Sequence, residues 1–120
     1  PRSFRKGCEA ERHLPSSVPG IVDLQQAELR YRGFVPAVAL SISGMVSEDL
    51  TEEHADIAET RLPVLAIWGR EDTVIPLRSM ARLAEVNRSA RQEVIEGAGH
   101  GLTYTHSDAV LAALRDLMRD

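Results

Sequence analysis

The chain has 120 residues, of which 43% are hydrophobic and 27% are charged, and its formal net charge is −4. These values are typical of one small globular domain, and the net negative charge argues against a protein that binds nucleic acid or an anionic membrane. Cys8 is the single cysteine, so an intramolecular disulfide is excluded and a cytoplasmic protein is expected.

Residues 1–20 are mostly polar, and turn-forming residues cluster towards their end. Pro15, Pro19 and Gly20 are typical of irregular structure, so this stretch is predicted to be a polar loop or a frayed end. The first residue is Pro and not Met, which fits either a chain cut from a longer reading frame or a processed one.

Residues 21–60 are predicted to be mainly helical. One helix is expected over 21–32 and a second over about 36–45, with Gly33 interrupting them. The apolar residues of the second helix are too many for one face, so we expect it to pack between other elements. Thr51 is a fair N-cap for a third, exposed helix that leads to the next strand.

The middle of the chain has the order strand, turn, helix, strand, loop. An apolar run over 63–68 predicts a buried strand, an amphipathic segment over 77–86 predicts a helix, and residues 91–95 predict a second strand. A strand–helix–strand unit this short predicts a parallel pair. Asp72 follows the first strand and His100 the second, so both side chains are predicted at the sheet edge where ligands bind.

The last part of the chain is predicted to be a loop followed by a helix. Residues 102–106 are expected to form the loop, and Ser107 is a good N-cap for the helix. Apolar residues at helical spacing then give this helix a stripe for packing on the sheet.

Asp72 and His100 together point to acid–base chemistry. A carboxylate that accepts a hydrogen bond from an imidazole fixes the tautomer and the orientation of a general base. Each residue also has a plainer interpretation, because Asp is common in turns and a loop histidine can be structural. Glu71 is the neighbouring alternative acid. The presence of both residues at neighbouring strand ends favours the catalytic interpretation.

Two segments resemble characteristic parts of the α/β-hydrolase family. Residues 62–76 resemble the late strand and acid turn of that fold, and Gly97-Ala98-Gly99-His100 resembles its histidine loop. The resemblance implies that Asp72 is the acid and His100 the base of a catalytic triad. The family carries its nucleophile on a Gly-x-Ser-x-Gly turn, and this sequence contains no such pentapeptide.

The resemblance covers roughly Ala27 to the C-terminus and implies an α/β fold. The expectation is a partial α/β-hydrolase fold with two parallel strands, a crossover helix and C-terminal helices, preceded by cap-like helices. The expected organisation is a polar loop or frayed end over 1–20, a helical cap-like and connecting segment over 21–60, and the C-terminal part of the core over 61–120. Because two strands cannot make a complete sheet, we interpret the chain as part of a larger hydrolase.

The implied reaction is hydrolysis of an ester, thioester or similar bond, with a nucleophile that this chain does not contain. An epoxide hydrolase or dehalogenase with an Asp nucleophile is one alternative, and a truncated or degenerate hydrolase without catalytic function is another. The complete protein is expected to be an enzyme, and the chain alone is expected to be inactive.

Four residues are candidates for contacts with a small-molecule substrate. Tyr31 and Phe34 belong to a run, 29–34, that resembles the end of a hydrolase cap, while Leu102 and Tyr104 closely follow the histidine. Hydrophobic packing is the plainer interpretation of Tyr31 and Phe34, and it is equally plausible for the other two.

No cofactor is needed for this chemistry, and no metal site is expected. His54 and Asp56 are two residues apart and therefore do not share a helix face. No apolar run approaches the roughly 20 residues of a membrane span, and no signal peptide is visible. The sequence leaves the oligomeric state open.

Overall fold

The structure, a computed structural model, describes residues 2–119. Residue 1 of the predicted range 1–20 and residue 120 of the predicted range 61–120 lie outside the described residues. The chain forms two compact units, an N-terminal unit that ends at Asp49 and a C-terminal unit that begins at Leu50. This boundary lies before the predicted one at residue 60, and the assignment of the first helices to a cap stays a prediction.

The N-terminal unit consists of helices and short 3₁₀ turns. Its α-helices are α1 (Arg2–Ala10), α2 (Ile21–Ala27) and α3 (Phe34–Ser43), and its 3₁₀ turns are Glu28–Arg30 and Met45–Ser47. The predicted helix over 21–32 therefore ends in a 3₁₀ turn, and α3 begins two residues before Pro36.

Helix α1 corrects the prediction of a loop or frayed end over residues 1–20. Its sequence is largely polar, but Phe4 and Cys8 are one helical turn apart and therefore share a face. Cys8 is buried, and the ring of Phe4 meets the ring of Phe34 edge-on with centroids 5.3 Å apart. Two inward residues on one face are too weak a pattern to outweigh the five polar residues of this helix in a sequence-based prediction, yet they suffice once α3 supplies a partner.

Helix α3 is not packed on several faces, contrary to the sequence-based expectation. Leu40 is 72% exposed and Ile42 is 60% exposed, and no described residue of this helix is buried. Its inward side is limited to the positions near Phe34 and Val38, which line an apolar groove within the N-terminal unit.

The C-terminal unit has the layered arrangement of an α/β fold. Its elements are α4 (Thr51–Glu59), β1 (Leu65–Gly69), α5 (Arg78–Val86), β2 (Arg91–Ile95), α6 (Leu102–Thr105) and α7 (Ser107–Leu117). Strands β1 and β2 pair in parallel, in register from Leu65 opposite Arg91 to Gly69 opposite Ile95. The predicted parallel pair is confirmed, although β1 begins two residues later than expected, after Pro63.

Helices contact both faces of this small sheet, although every strand residue except Gly69 is half-buried, so β1 is less buried than predicted. On one face, the indole N–H of Trp68 donates to the side-chain oxygen of Gln92, and the Gln92 amide donates to the carbonyl of Met80 in α5. Arg91 points to the other face and contacts Asp116 of α7 at 3.8 Å. The polar part of Trp68 is thus satisfied by one amide that links both strands to a helix.

Three local predictions of the C-terminal unit are wrong. Residues 102–105 form the short helix α6 and not a loop, because one helical turn places Leu102 in a buried position. Thr51 and Ser107, predicted N-caps, are the first residues of α4 and α7, and the caps are Leu50 and His106.

Candidate active site

Asp72 lies in the turn that follows β1 and has its two carboxylate oxygens in different roles. Oδ1 accepts hydrogen bonds from the backbone N–H groups of Val74 (2.8 Å) and Ile75 (2.9 Å). This is the local bonding that makes Asp common in turns. Oδ2 is directed to His100. The structural and the catalytic interpretation of Asp72 are therefore compatible, since each uses a different oxygen.

His100 follows β2 in a loop that begins with two turn residues. Gly97 has a φ of 72°, in the left-handed region that glycine tolerates best, and the chain then passes through the fully buried Ala98. The Nδ1 atom of His100 lies 3.0 Å from Oδ2 of Asp72. The two residues predicted to meet at the carboxyl ends of neighbouring strands are brought together.

The acid and the base of this pair differ in exposure. The Asp72 side chain is only 7% exposed, whereas the His100 side chain is 56% exposed. The buried carboxylate can accept a hydrogen bond from Nδ1–H, while the imidazole remains accessible to another group. This is the geometry that a general base needs.

The environment of Asp72 favours its ionised form. Burial is the largest influence and by itself would raise the pKa of Asp72. Hydrogen bonds from the Ile75 N–H, from His100 and from the Val74 N–H act in the opposite direction, and together they hold the pKa below its ordinary value. Asp72 is therefore a carboxylate at neutral pH and can only accept hydrogen bonds, which makes Nδ1 the donor nitrogen of a neutral His100.

Comparisons with known proteins give similar solved structures and similar curated proteins, whereas no protein-family model matches the chain. MGS-MChE2, an α/β-hydrolase from a sediment metagenome of the Mar Chica lagoon in Morocco, superposes with a TM-score of 0.63 at 18% identity, over 87% of this chain and 46% of its own. A predicted CIB-like hydrolase from Thermoplasma acidophilum superposes with a TM-score of 0.52 at 24% identity, over 59% of this chain and 34% of its own.

This chain has part of an α/β-hydrolase fold. Two curated proteins are similar to the chain in sequence. A 2-hydroxymuconate semialdehyde hydrolase of Pseudomonas putida is 30% identical over 96 residues, and a Synechocystis protein named as a non-heme chloroperoxidase is 32% identical over 71 residues. The matches cover 73% and 58% of this chain but only 34% and 26% of those proteins. The chain therefore spans about a third or less of the length of these curated relatives.

Within this partial α/β-hydrolase fold, the four candidate substrate residues lie in two different units. Leu102 is buried, and the Tyr104 ring is folded back over Gly101. In the N-terminal unit, Phe34 packs against a neighbouring ring and Tyr31 is 67% exposed. Contact of any of the four with a substrate stays a prediction.

Two apolar residues beside the acid were not singled out from the sequence. Val74 is 61% exposed and Ile75 is 43% exposed, although both are aliphatic and both donate backbone hydrogen bonds to Asp72. The signal was present as an apolar pair immediately after the acid turn. Such exposed aliphatic side chains next to a reactive pair are candidates for contact with a substrate or with another part of the protein.

Two further features are absent from the part of the chain that the structure describes. Among residues 2–119, no group of three or more His, Cys, Asp or Glu side chains could hold a metal ion. In the same residues, every helix is too short or too polar to cross a membrane.

Proposed function

We propose that this chain supplies the acid and the base of a hydrolase, with Asp72 as the orienting acid and His100 as the general base. The observation that carries the proposal is the 3.0 Å contact between Nδ1 of His100 and Oδ2 of Asp72 at the carboxyl ends of two parallel strands. In open α/β sheets this edge is where ligands bind. The similarity to proteins named as hydrolases supports the same function.

The proposed mechanism follows from the two ring nitrogens of His100. With Nδ1–H donating to Asp72, the lone pair on Nε2 can accept the proton of a nucleophile hydroxyl as its oxygen attacks a carbonyl carbon. The imidazolium then donates that proton to the leaving group as its bond to the carbonyl breaks. In the second half, water loses a proton to Nε2 as its oxygen bonds to the carbonyl carbon. The bond from that carbon to the nucleophile oxygen then breaks, the imidazolium returns the proton to the nucleophile oxygen, and the acid product leaves. Asp72 stays ionised throughout and stabilises the imidazolium.

The nucleophile is proposed to lie outside these 120 residues. The sequence contains no Gly-x-Ser-x-Gly turn. Ser41 and Ser43 lie within α3 and Ser79 within α5, so none follows a strand, and the Ser43 hydroxyl donates to the Ala39 carbonyl of its own helix. A base without a positioned nucleophile and an oxyanion hole retains little rate enhancement.

The proposed substrate is a small molecule with an ester, thioester or related bond next to a carbonyl group. The name of one relative, 2-hydroxymuconate semialdehyde hydrolase, is consistent with a small carbonyl compound. We propose the helices of the N-terminal unit as part of a cap, with Tyr31 and Phe34 as apolar contacts. Leu102 and Tyr104 are proposed to contact the substrate from the histidine side.

The decisive experiment compares His100→Ala with His13→Ala in the complete protein. His13 is an exposed residue of the N-terminal unit and serves as the matched control. Turnover of short-chain p-nitrophenyl esters should fall by several powers of ten in His100→Ala and stay unchanged in His13→Ala, because the base acts as a unit with the nucleophile. Near-normal turnover in a folded His100→Ala protein would rule out His100 as the base.

The coding sequence upstream of Pro1 would distinguish a serine nucleophile from an aspartate nucleophile. A Gly-x-Ser-x-Gly turn there supports a serine nucleophile, and a Gly-x-Asp-x-Gly turn supports an aspartate nucleophile with His100 activating water.

The 120-residue chain expressed alone should have no esterase activity. Turnover by a cooperatively melting monomer of this chain, abolished by His100→Ala, would contradict the proposal that the nucleophile lies elsewhere.

A further inference from the structure

We infer that Gly69, Arg70 and Glu96 are positioning residues that hold the acid loop against the histidine loop and so set the distance between Asp72 and His100. The acid loop is defined here as residues 69–75, and the histidine loop as residues 96–101. The catalytic meaning of this inference rests on the proposed function, but the contact itself can be tested without any activity.

Gly69 brings the two loops into direct backbone contact. It is the buried last residue of β1, and a Cβ atom built on it would lie 2.5 Å from the carbonyl oxygen of Ala98 and 2.7 Å from that of Gly99. Real Cβ atoms essentially never approach an atom so closely. The two obstructing groups are backbone carbonyls and not flexible side-chain ends, so only a residue without a side chain fits at position 69.

Two backbone hydrogen bonds extend the pairing of the strands into the loops. The N–H of Arg70 donates to the carbonyl of Ile95 at 3.1 Å, and the N–H of Glu71 donates to the carbonyl of Ala98 at 2.8 Å. The first joins the acid loop to the end of β2, and the second joins it to the residue two positions before His100. The acid and the base are therefore connected by a short and continuous set of backbone contacts.

The side chains of Arg70 and Glu96 join the same loops at the surface. Nε of Arg70 lies 3.1 Å from both carboxylate oxygens of Glu96, and Nη2 lies 2.6 Å from Oε1. Arg70 is 44% exposed and Glu96 is 73% exposed, so this ion pair adds little to global stability. Its two-pronged geometry instead restricts how far the loops can separate.

The distances predict that a substitution of Gly69 disturbs the contact between Asp72 and His100 more than loss of the Arg70–Glu96 ion pair does. To bring a Cβ at position 69 to ordinary contact with the Ala98 carbonyl, the loops must separate by about 0.9 Å. The bond between His100 and Asp72 is 3.0 Å long, and hydrogen bonds weaken steeply beyond roughly 3.5 Å. A methyl group at position 69 is therefore sufficient to break the contact between the acid and the base.

The experiment measures the ring ¹⁵N chemical shifts of His100 in the full chain, labelled selectively at histidine, with His100→Gln used to assign the signals. These shifts report which ring nitrogen carries the proton. The matched pair is Gly69→Ala and Gly99→Ala, since a Cβ at position 99 would meet only the Glu71 carbonyl at 3.9 Å. Asp72→Asn provides the reference for a mis-set tautomer.

The expected result is that Gly69→Ala reproduces most of the shift change of Asp72→Asn, while Gly99→Ala keeps the unsubstituted pattern. A folded Gly69→Ala protein with unchanged His100 shifts would overturn the role of Gly69. Because the shifts report a hydrogen bond and not turnover, this outcome is independent of whether the complete protein is a hydrolase.

Arg70→Ala and Glu96→Ala keep the inference testable if Gly69→Ala does not fold, because both remove only exposed side chains. Each should produce a smaller change in the same direction, and the double charge reversal Arg70→Glu with Glu96→Arg should restore the original shifts. Unchanged shifts in both single variants would overturn the positioning role of the ion pair. A structural role alone would alter the melting temperature without moving the His100 signals.

Discussion

The two units of this chain differ in how their side chains are held. In the C-terminal unit, contacts between residues far apart in sequence link strands and loops, as in the bridge from Trp68 to Gln92 and the pair of Asp72 and His100. In the N-terminal unit, the contacts are a ring pair between helices, Phe4 with Phe34, and surface ion pairs such as that of Arg12 with Asp23. The proposed acid and base are thus both held in the unit that contains the sheet.

The same difference appears in the apolar residues. Residues 65–68 of β1 are half-buried, whereas Leu40, Ile42 and Met45 in the N-terminal unit are 72%, 60% and 72% exposed. Exposed apolar residues that cluster in one region are typical of surfaces that meet another body. The N-terminal unit therefore presents apolar surface around the end of α3. The C-terminal unit also has exposed apolar residues, such as Val74 and Met118, and it alone contains the proposed acid and base.

The largest expected difference between the units concerns catalysis in the complete protein. Asp72→Asn should lower kcat on the order of 10⁴-fold, because the amide mis-sets the imidazole tautomer. Asp23→Asn, which removes an exposed carboxylate paired with Arg12, should leave kcat unchanged. Steady-state kinetics on p-nitrophenyl esters measures both. Equal losses from the two variants would mean that the carboxylate of Asp72 has no special role.

A second comparison concerns stability and uses one leucine from each unit. Leu83 in α5 is 8% exposed and Leu40 in α3 is 72% exposed. Leu83→Ala should lower the free energy of unfolding by about 2–5 kcal/mol through lost burial and a residual cavity. Leu40→Ala should change it by less than about 0.5 kcal/mol. Urea denaturation provides the measurement, and a large effect of Leu40→Ala would show that α3 is covered in solution.

The smallest expected difference is in the pH dependence of stability. The pKa of Asp72 is held below its ordinary value of 3.8 in the folded chain. The resulting stabilisation is present above that ordinary value and is lost as pH falls through the lower folded pKa. Thermal melts across this acidic range should show a decline that is shallower in Asp72→Asn. Asp23→Asn should alter the decline less, because its carboxylate is exposed and screened by solvent.

Much of the C-terminal unit could be predicted because its signals are local in sequence. The alternation of an apolar run, an amphipathic segment and a second run is sufficient to predict a parallel pair, and the acid and the histidine follow the two strands directly. Strand β2 was predicted at residues 91–95, where the structure has it. The predicted start of β1 was two residues too early and its end one residue too early, because apolarity alone does not indicate where pairing begins.

The sequence by itself determined the parallel pairing of the strands and the contact of Asp72 with His100. Both follow from the hydrophobic periodicity of the segments and from the positions of the two residues directly after the strands. Only the tertiary structure decided that residues 2–10 are helical, that Leu102 is buried by a turn of helix, and that Gly69 contacts the Ala98 carbonyl. Each of these features depends on tertiary contacts, and the local sequence contains no pattern that indicates such contacts. The contacts exist only when the chain has folded.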